Sequence, residues 1–86
     1  MPLHLQLFSR PGCHLCDEMK AVVQPLAREL GAVVEEINIA GDPELESEYG
    51  LQIPVLLING RKAFKYRLTE RELRARLRRE GDRSVR

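Results

Sequence analysis

Cys13 and Cys16 are the only cysteines in this 86-residue chain. They stand as Cys13-His14-Leu15-Cys16, after an apolar stretch from Leu3 to Phe8 and at the head of a long helical pattern. A C-x-x-C pair at a strand-to-helix junction puts its first sulfur at a helix N-terminus. There, unpaired N–H groups and the helix dipole favour a thiolate over a thiol. The second sulfur falls on the same face of the first turn, within reach of a short disulfide ring. Such a pair suits disulfide exchange better than the stapling of a fold.

Cys13 is therefore the expected nucleophile, and Cys16 the resolving thiol that attacks the mixed disulfide formed on Cys13. Arg10, three residues earlier, can add positive charge near the thiolate. Asp17 and Glu18 oppose the thiolate while favouring the helix terminus. His14 has two readings: a partly protonated neighbour that stabilises thiolate, or a solvent-exposed spacer. His4, in the first strand, reads as a surface or packing histidine. A haem attachment site needs His directly after the second cysteine, where Asp17 stands instead. A zinc site needs about four ligands, and two cysteines with two separated histidines do not supply them. No metal site within the chain and no cofactor are expected. The alternative use of the same sulfurs is an iron–sulfur cluster or metal carrier, with ligands shared between two copies.

These residues need a frame. Leu3, Leu5 and Leu7 alternate with His4, Gln6 and Phe8, which reads as a strand. Ser9-Arg10-Pro11-Gly12 is a loop. Leu15, Met19, Val22, Leu26 and Leu30 form one helical stripe, stopped by Gly31. Pro25 removes a helix hydrogen bond and crowds the carbonyl of Ala21, so a kink is expected. Ala32 to Ile39 is a second strand, completing a parallel, right-handed βαβ unit. Asp42 and Pro43 open a short helix that Gly50 ends. Val55 to Ile58 is a buried strand, Asn59-Gly60 a hairpin turn, and Arg61 to Tyr66 a charged edge strand. Thr69 with Glu72 forms a capping box and Leu68 with Leu73 a hydrophobic staple. Leu73 and Leu77 dock this last helix and Gly81 closes it, leaving a frayed tail from Asp82. The order is β-α-β-α-β-β-α: an α/β chain with a four-stranded mixed sheet flanked by helices. Ile53-Pro54 precedes the buried strand. Its proline is either an ordinary strand-start residue or a cis proline marking a tight turn.

Residues 1–86 make one small domain. No run resembles a signal peptide or a membrane span, so a cytoplasmic protein with no membrane partner is expected. That compartment is reducing, where paired cysteines are more often redox-active than structural. Residues 1–60 carry three basic and nine acidic side chains, and residues 61–86 carry eleven basic and four acidic ones. This basic end is a solvated surface or a face for an acidic partner. No aromatic interleaving points to nucleic acid.

The run Leu7-Phe8-Ser9-Arg10-Pro11-Gly12-Cys13-His14-Leu15-Cys16, then Tyr49-Gly50-Leu51-Gln52-Ile53-Pro54-Val55-Leu56, then Asn59-Gly60, resembles the glutaredoxin family, in particular its small glutaredoxin-like bacterial branch. The resemblance covers nearly the whole chain. It implies a thioredoxin-like fold in its minimal glutaredoxin form and a dithiol–disulfide oxidoreductase. It also implies a cis Pro54 facing the C-x-x-C, and an Ile53 backbone that pairs with an incoming peptide or thiol. Arg10 stands where the family often carries a basic residue. The expected substrates are disulfide-containing proteins or small thiols, handled by a monomer. Two features depart from the glutathione-using members of the family, the first being Gln52-Ile53-Pro54 where they usually show Thr-Val-Pro. Where glutathione-using members carry Gly-Gly and Asp residues after the hairpin, this chain reads Ala63-Phe64-Lys65-Tyr66-Arg67. Side chains then occupy the space where the backbone would approach glutathione. A thioredoxin-reductase-like protein is as natural an electron donor as glutathione.

Overall fold

A computed structural model of the chain describes residues 3–84. Its elements are β1 (His4–Ser9), α1 (His14–Leu30), β2 (Val33–Asn38), α2 (Pro43–Tyr49), β3 (Val55–Ile58), β4 (Arg61–Lys65) and α3 (Glu70–Ser84). The strands form one sheet in the order β2-β1-β3-β4. β1 runs parallel to β2 and antiparallel to β3, and β3 antiparallel to β4. The sheet is mixed, as the element order implies.

Alternation along the strands assigns the two faces. Leu5, Leu7, Leu56 and Ile58 pack with Met19, Val23, Leu26 and Ala27 of α1 and with Leu73 and Leu77 of α3. Phe8, Val55 and Leu57 lie on the opposite face with Ile39 and with Tyr49 of α2. The Phe8 and Tyr49 rings stack with centroids 4.3 Å apart. With helices on both faces, all four residues of β3 are buried, and its sequence is a continuous apolar run rather than an alternation.

The turn and cap signals are realised in place. Asn59 and Gly60 both adopt positive φ, 50° and 84°, as a two-residue hairpin turn of this sequence requires. Asp42 accepts from the N–H groups of Glu44 and Leu45, with Pro43 at the first helical position. Thr69 Oγ1 accepts from Glu72 N–H at 3.1 Å, while Glu72 Oε1 accepts from Thr69 N–H at 2.9 Å.

Two details differ from expectation. The buried face of α1 is Cys16, Met19, Val23, Leu26 and Ala27, rotated from the leucine stripe, and Leu30 is 44% exposed. Cys16 and Ala27 take buried positions outside the leucine stripe, and Leu30 is the last residue of the helix. Helix α1 carries Pro25 within its span and runs on to Leu30. Finally, α3 does not stop at Gly81; its backbone continues to Ser84, so the expected tail is helical as far as the described residues go. Glycine inside a helix costs only about 1 kcal/mol, too little to end one by itself.

Candidate active site

The site forms at the end of β1. Arg10, Pro11, Gly12 and Cys13 make a tight turn, with Cys13 N–H donating to the Arg10 carbonyl at 3.2 Å. Proline second and glycine third suit such a turn, because the third residue needs the positive φ that Gly12 adopts, 81°. The turn delivers Cys13 to the N-cap of α1 in an extended conformation. Its Sγ accepts from Cys16 N–H at 3.1 Å, and its carbonyl accepts from Asp17 N–H at 3.2 Å. The sulfur thus takes the place of the serine or aspartate oxygen usual at an N-cap. Any negative charge on it meets a backbone donor and the positive end of the helix.

Cys13 and Cys16 are joined in a disulfide, with Cα atoms 5.2 Å apart. Their surroundings are unequal. Cys16 is 3% exposed, packed on the inner side of the first turn, whereas Cys13 is only half-buried. A hollow of about 280 Å³ beside Cys16 is lined also by Ser9, Asp17, Glu36 and Asn38. At its wall the buried Ser9 hydroxyl donates to Glu36 Oε2 at 3.4 Å, and Lys20 Nζ pairs with Glu36 Oε1 at 3.0 Å.

The other residues singled out from the sequence are placed as follows. Arg10 turns its guanidinium to α2, where Nε and Nη2 hold the Glu46 carboxylate at 2.9–3.1 Å. His14 is 89% exposed and lies against Glu18, Nε2 to Oε2 3.4 Å, on the solvent side of α1. His4 lies at the surface beside Glu35, Nε2 to Oε1 3.3 Å. Because Phe8 pairs with Val55 across β1 and β3, Ile53 and Pro54 enter the sheet at the end where Ser9 leaves it. The Ile53–Pro54 bond is cis, and Pro54 is fully buried.

Two participants carried no local signal. Glu46 is 36 positions from Arg10 and stands among several acids on α2. Tyr66 closes the other side. Its N–H donates to the Pro54 carbonyl at 2.9 Å and its hydroxyl to the Leu51 carbonyl at 3.1 Å. It also lines a smaller hollow with Leu15 and Glu18 of α1, so one residue touches both the Pro54 loop and the cysteine helix. Of the residues that replace the family's glycines, Phe64 packs against the core, and Lys65 Nζ sits 5.5 Å from the Tyr66 ring centroid. Among the described residues no group of three or more His, Cys, Asp and Glu side chains converges to hold a metal ion. None of their helices is long and apolar enough to cross a membrane.

A four-stranded mixed sheet between helices, with a disulfide-forming C-x-x-C where β1 meets α1, is a thioredoxin fold carrying a redox-type cysteine pair. Thioredoxin 1 of Thermosipho africanus shares the fold with a TM-score of 0.70 over 96% of this chain and 99% of that one, at 16% identity. The chain belongs to the glutaredoxin-like domain family (DUF836), which matches residues 4–78. A structural-genomics target protein from X. campestris is 39% identical, with a TM-score of 0.67 over 85% of this chain and 93% of that one. A protein of Methanocaldococcus jannaschii described as a thioredoxin is 37% identical over 59 residues, 65% of this chain and 69% of its own length.

Proposed function

We propose that this protein is a dithiol–disulfide oxidoreductase that reduces disulfides in proteins or small molecules. The observation that carries the reading is the inequality of the two sulfurs: Cys13 half-exposed at a helix N-cap, Cys16 buried one turn behind it. In the reduced protein the Cys13 thiolate attacks one sulfur of the substrate disulfide. A Cys13–substrate disulfide forms, and the other substrate sulfur leaves as a thiolate and takes a proton from water. Cys16 then gives up its proton and attacks the Cys13 sulfur. The Cys13–Cys16 bond forms, the mixed disulfide breaks, and the second substrate sulfur leaves and is protonated. Two electrons have passed from the protein to the substrate, and a thiol or dithiol donor restores the reduced pair.

In this reading Ile53 presents its backbone to the incoming chain, with Pro54 behind it. Arg10 and His14 flank the attacking sulfur. The protein works as a monomer in the cytoplasm, where a reducing donor is at hand. Because Phe64 and Lys65 stand in place of glycines, a protein dithiol donor suits the site better than glutathione.

The deciding experiment is insulin-disulfide reduction with dithiothreitol, glutathione or a thioredoxin reductase as donor. Turnover that depends on both cysteines is expected with at least one donor. Absence of turnover with all three, together with a brown protein showing visible absorption, would replace this reading with the cluster carrier.

A further inference from the structure

Arg10 has two electrostatic destinations. One is Cys13. Arg10 opens the turn whose fourth residue is Cys13, which brings their Cα atoms within about 7 Å, a distance an arginine side chain spans. The other is Glu46. The structure puts the guanidinium there, in a fork with Nε–Oε1 at 3.1 Å, Nη2–Oε1 at 2.9 Å and Nη2–Oε2 at 2.9 Å. Gly50 makes the room. A Cβ at that position would lie 3.4 Å from Arg10 Nη2 and would collide with the Glu46 carbonyl. Gly50 has φ −51°, so a close approach rather than backbone conformation calls for glycine. The pair is more than a third exposed on both sides and adds little to stability. Its consequence is placement of charge.

We infer that Glu46 is a positioning residue for disulfide exchange: it holds Arg10 on α2 and cancels its charge, which keeps the Cys13 thiolate less populated than a free Arg10 would make it. The inference rests on the reading of Cys13 as the attacking thiol. The other charges around Cys13 come from three directions. On α1, Asp17 lines the hollow beside Cys16, and Glu18 lies against His14. From β2, Glu36 lines the same hollow but is paired with Lys20. Beyond β4, Arg67 and Tyr66 line the hollow at Leu15 and Glu18. Glu46 is thus the carboxylate that decides whether Arg10 acts on the cysteine.

The test is the pH dependence of Cys13 alkylation by iodoacetamide in the reduced full chain, located by peptide mapping. Glu46→Gln keeps an oxygen acceptor but removes the charge. It should lower the apparent pKa by about 0.5, which speeds alkylation roughly threefold below both pKa values. Arg10→Met leaves Glu46 uncompensated and should raise the pKa by a similar amount. The double variant should return close to wild type. The shifts should shrink in about 1 M salt. Repeating the series in His14→Gln removes the neighbouring group that titrates in the same window, and the pattern should persist. Shifts of the same sign in both single variants would mean lost loop packing, and no shift would mean no coupling; either overturns the inference. Alkylation reads the thiolate whether or not any disulfide is reduced. Failure of the insulin assay with the sign pattern intact would therefore strike the exchange reading and leave the Arg10–Glu46 coupling standing.

Discussion

At the scale of single residues, the first turn of α1 divides two chemically identical thiols into an outer and an inner one. Cys13→Ser should abolish disulfide reduction. Cys16→Ser should retain the first step and accumulate a mixed disulfide with substrate, seen as a mass increase that reductant removes. Mildly acidic alkylation of the reduced protein should label Cys13 first, and preferential labelling of Cys16 would reverse the assignment. Glutathione belongs to this scale too. A small tripeptide is held by a few polar groups at its charged ends. Where the glycines would let the backbone approach one end, Phe64 packs against the core and Lys65 lies over the Tyr66 ring, so the hollow there is lined by side chains. Exposed lysine or arginine pairing with a carboxylate recovers only about 0–1 kcal/mol. NMR titration should show no saturation at micromolar glutathione; saturable shifts at Arg10, Ile53 and Lys65 in that range would mean that the site is formed another way. The cysteine pair was legible because its chemistry is local in sequence. Glu46 and Tyr66 were not, because their partners lie across the fold and carry no periodic or motif signal of their own.

Among the elements, α3 shows how local rules fix a boundary. Thr69 and Glu72 exchange hydrogen bonds at the exposed start of the helix, so Thr69→Ala removes the cap and little else. It should cost about 1 kcal/mol, read as a lower urea midpoint with unchanged slope. At the opposite face, α2 presents Tyr49 to the sheet. Burial first, and Glu48 second, push the Tyr49 phenol above its ordinary value. The folded state therefore holds that proton more tightly than the unfolded chain does. This contribution is constant below about pH 10 and is lost as pH rises through the higher folded value. Wild-type stability should accordingly fall more steeply than that of Tyr49→Phe between about pH 10 and 12, measured by urea denaturation. Strands, turns and caps were readable from the sequence because each depends on neighbours within a few residues. The buried face of α1 was not, since the side of a helix that meets the sheet is set by contacts far apart in sequence, and Cys16 and Ala27 lie off the stripe of large apolar residues. Gly81 misled for a related reason: a stop signal acts only where the chain gains by turning.

For the whole molecule, the uneven charge along the chain becomes a partial complementarity in space. Arg74 of α3 meets Glu29 of α1, and its hydrogen bond and charge hold the Glu29 carboxyl below the usual carboxylate range. Arg61 reaches Glu80 at 3.2 Å. The basic end thus meets the acidic part of the chain through Arg74 and pairs within itself through Arg61 and Glu80. The loop before β3 joins these scales. Tyr66 grips it by two main-chain oxygens, those of Leu51 and Pro54. Those attachments ask nothing of the side chains between them, and Leu51 stands 94% exposed at the tip. The mount is fixed while the tip is free to vary. A substitution at position 51 therefore leaves both main-chain attachments of the loop in place, and with them the entry of the chain into β3 beside the sulfurs.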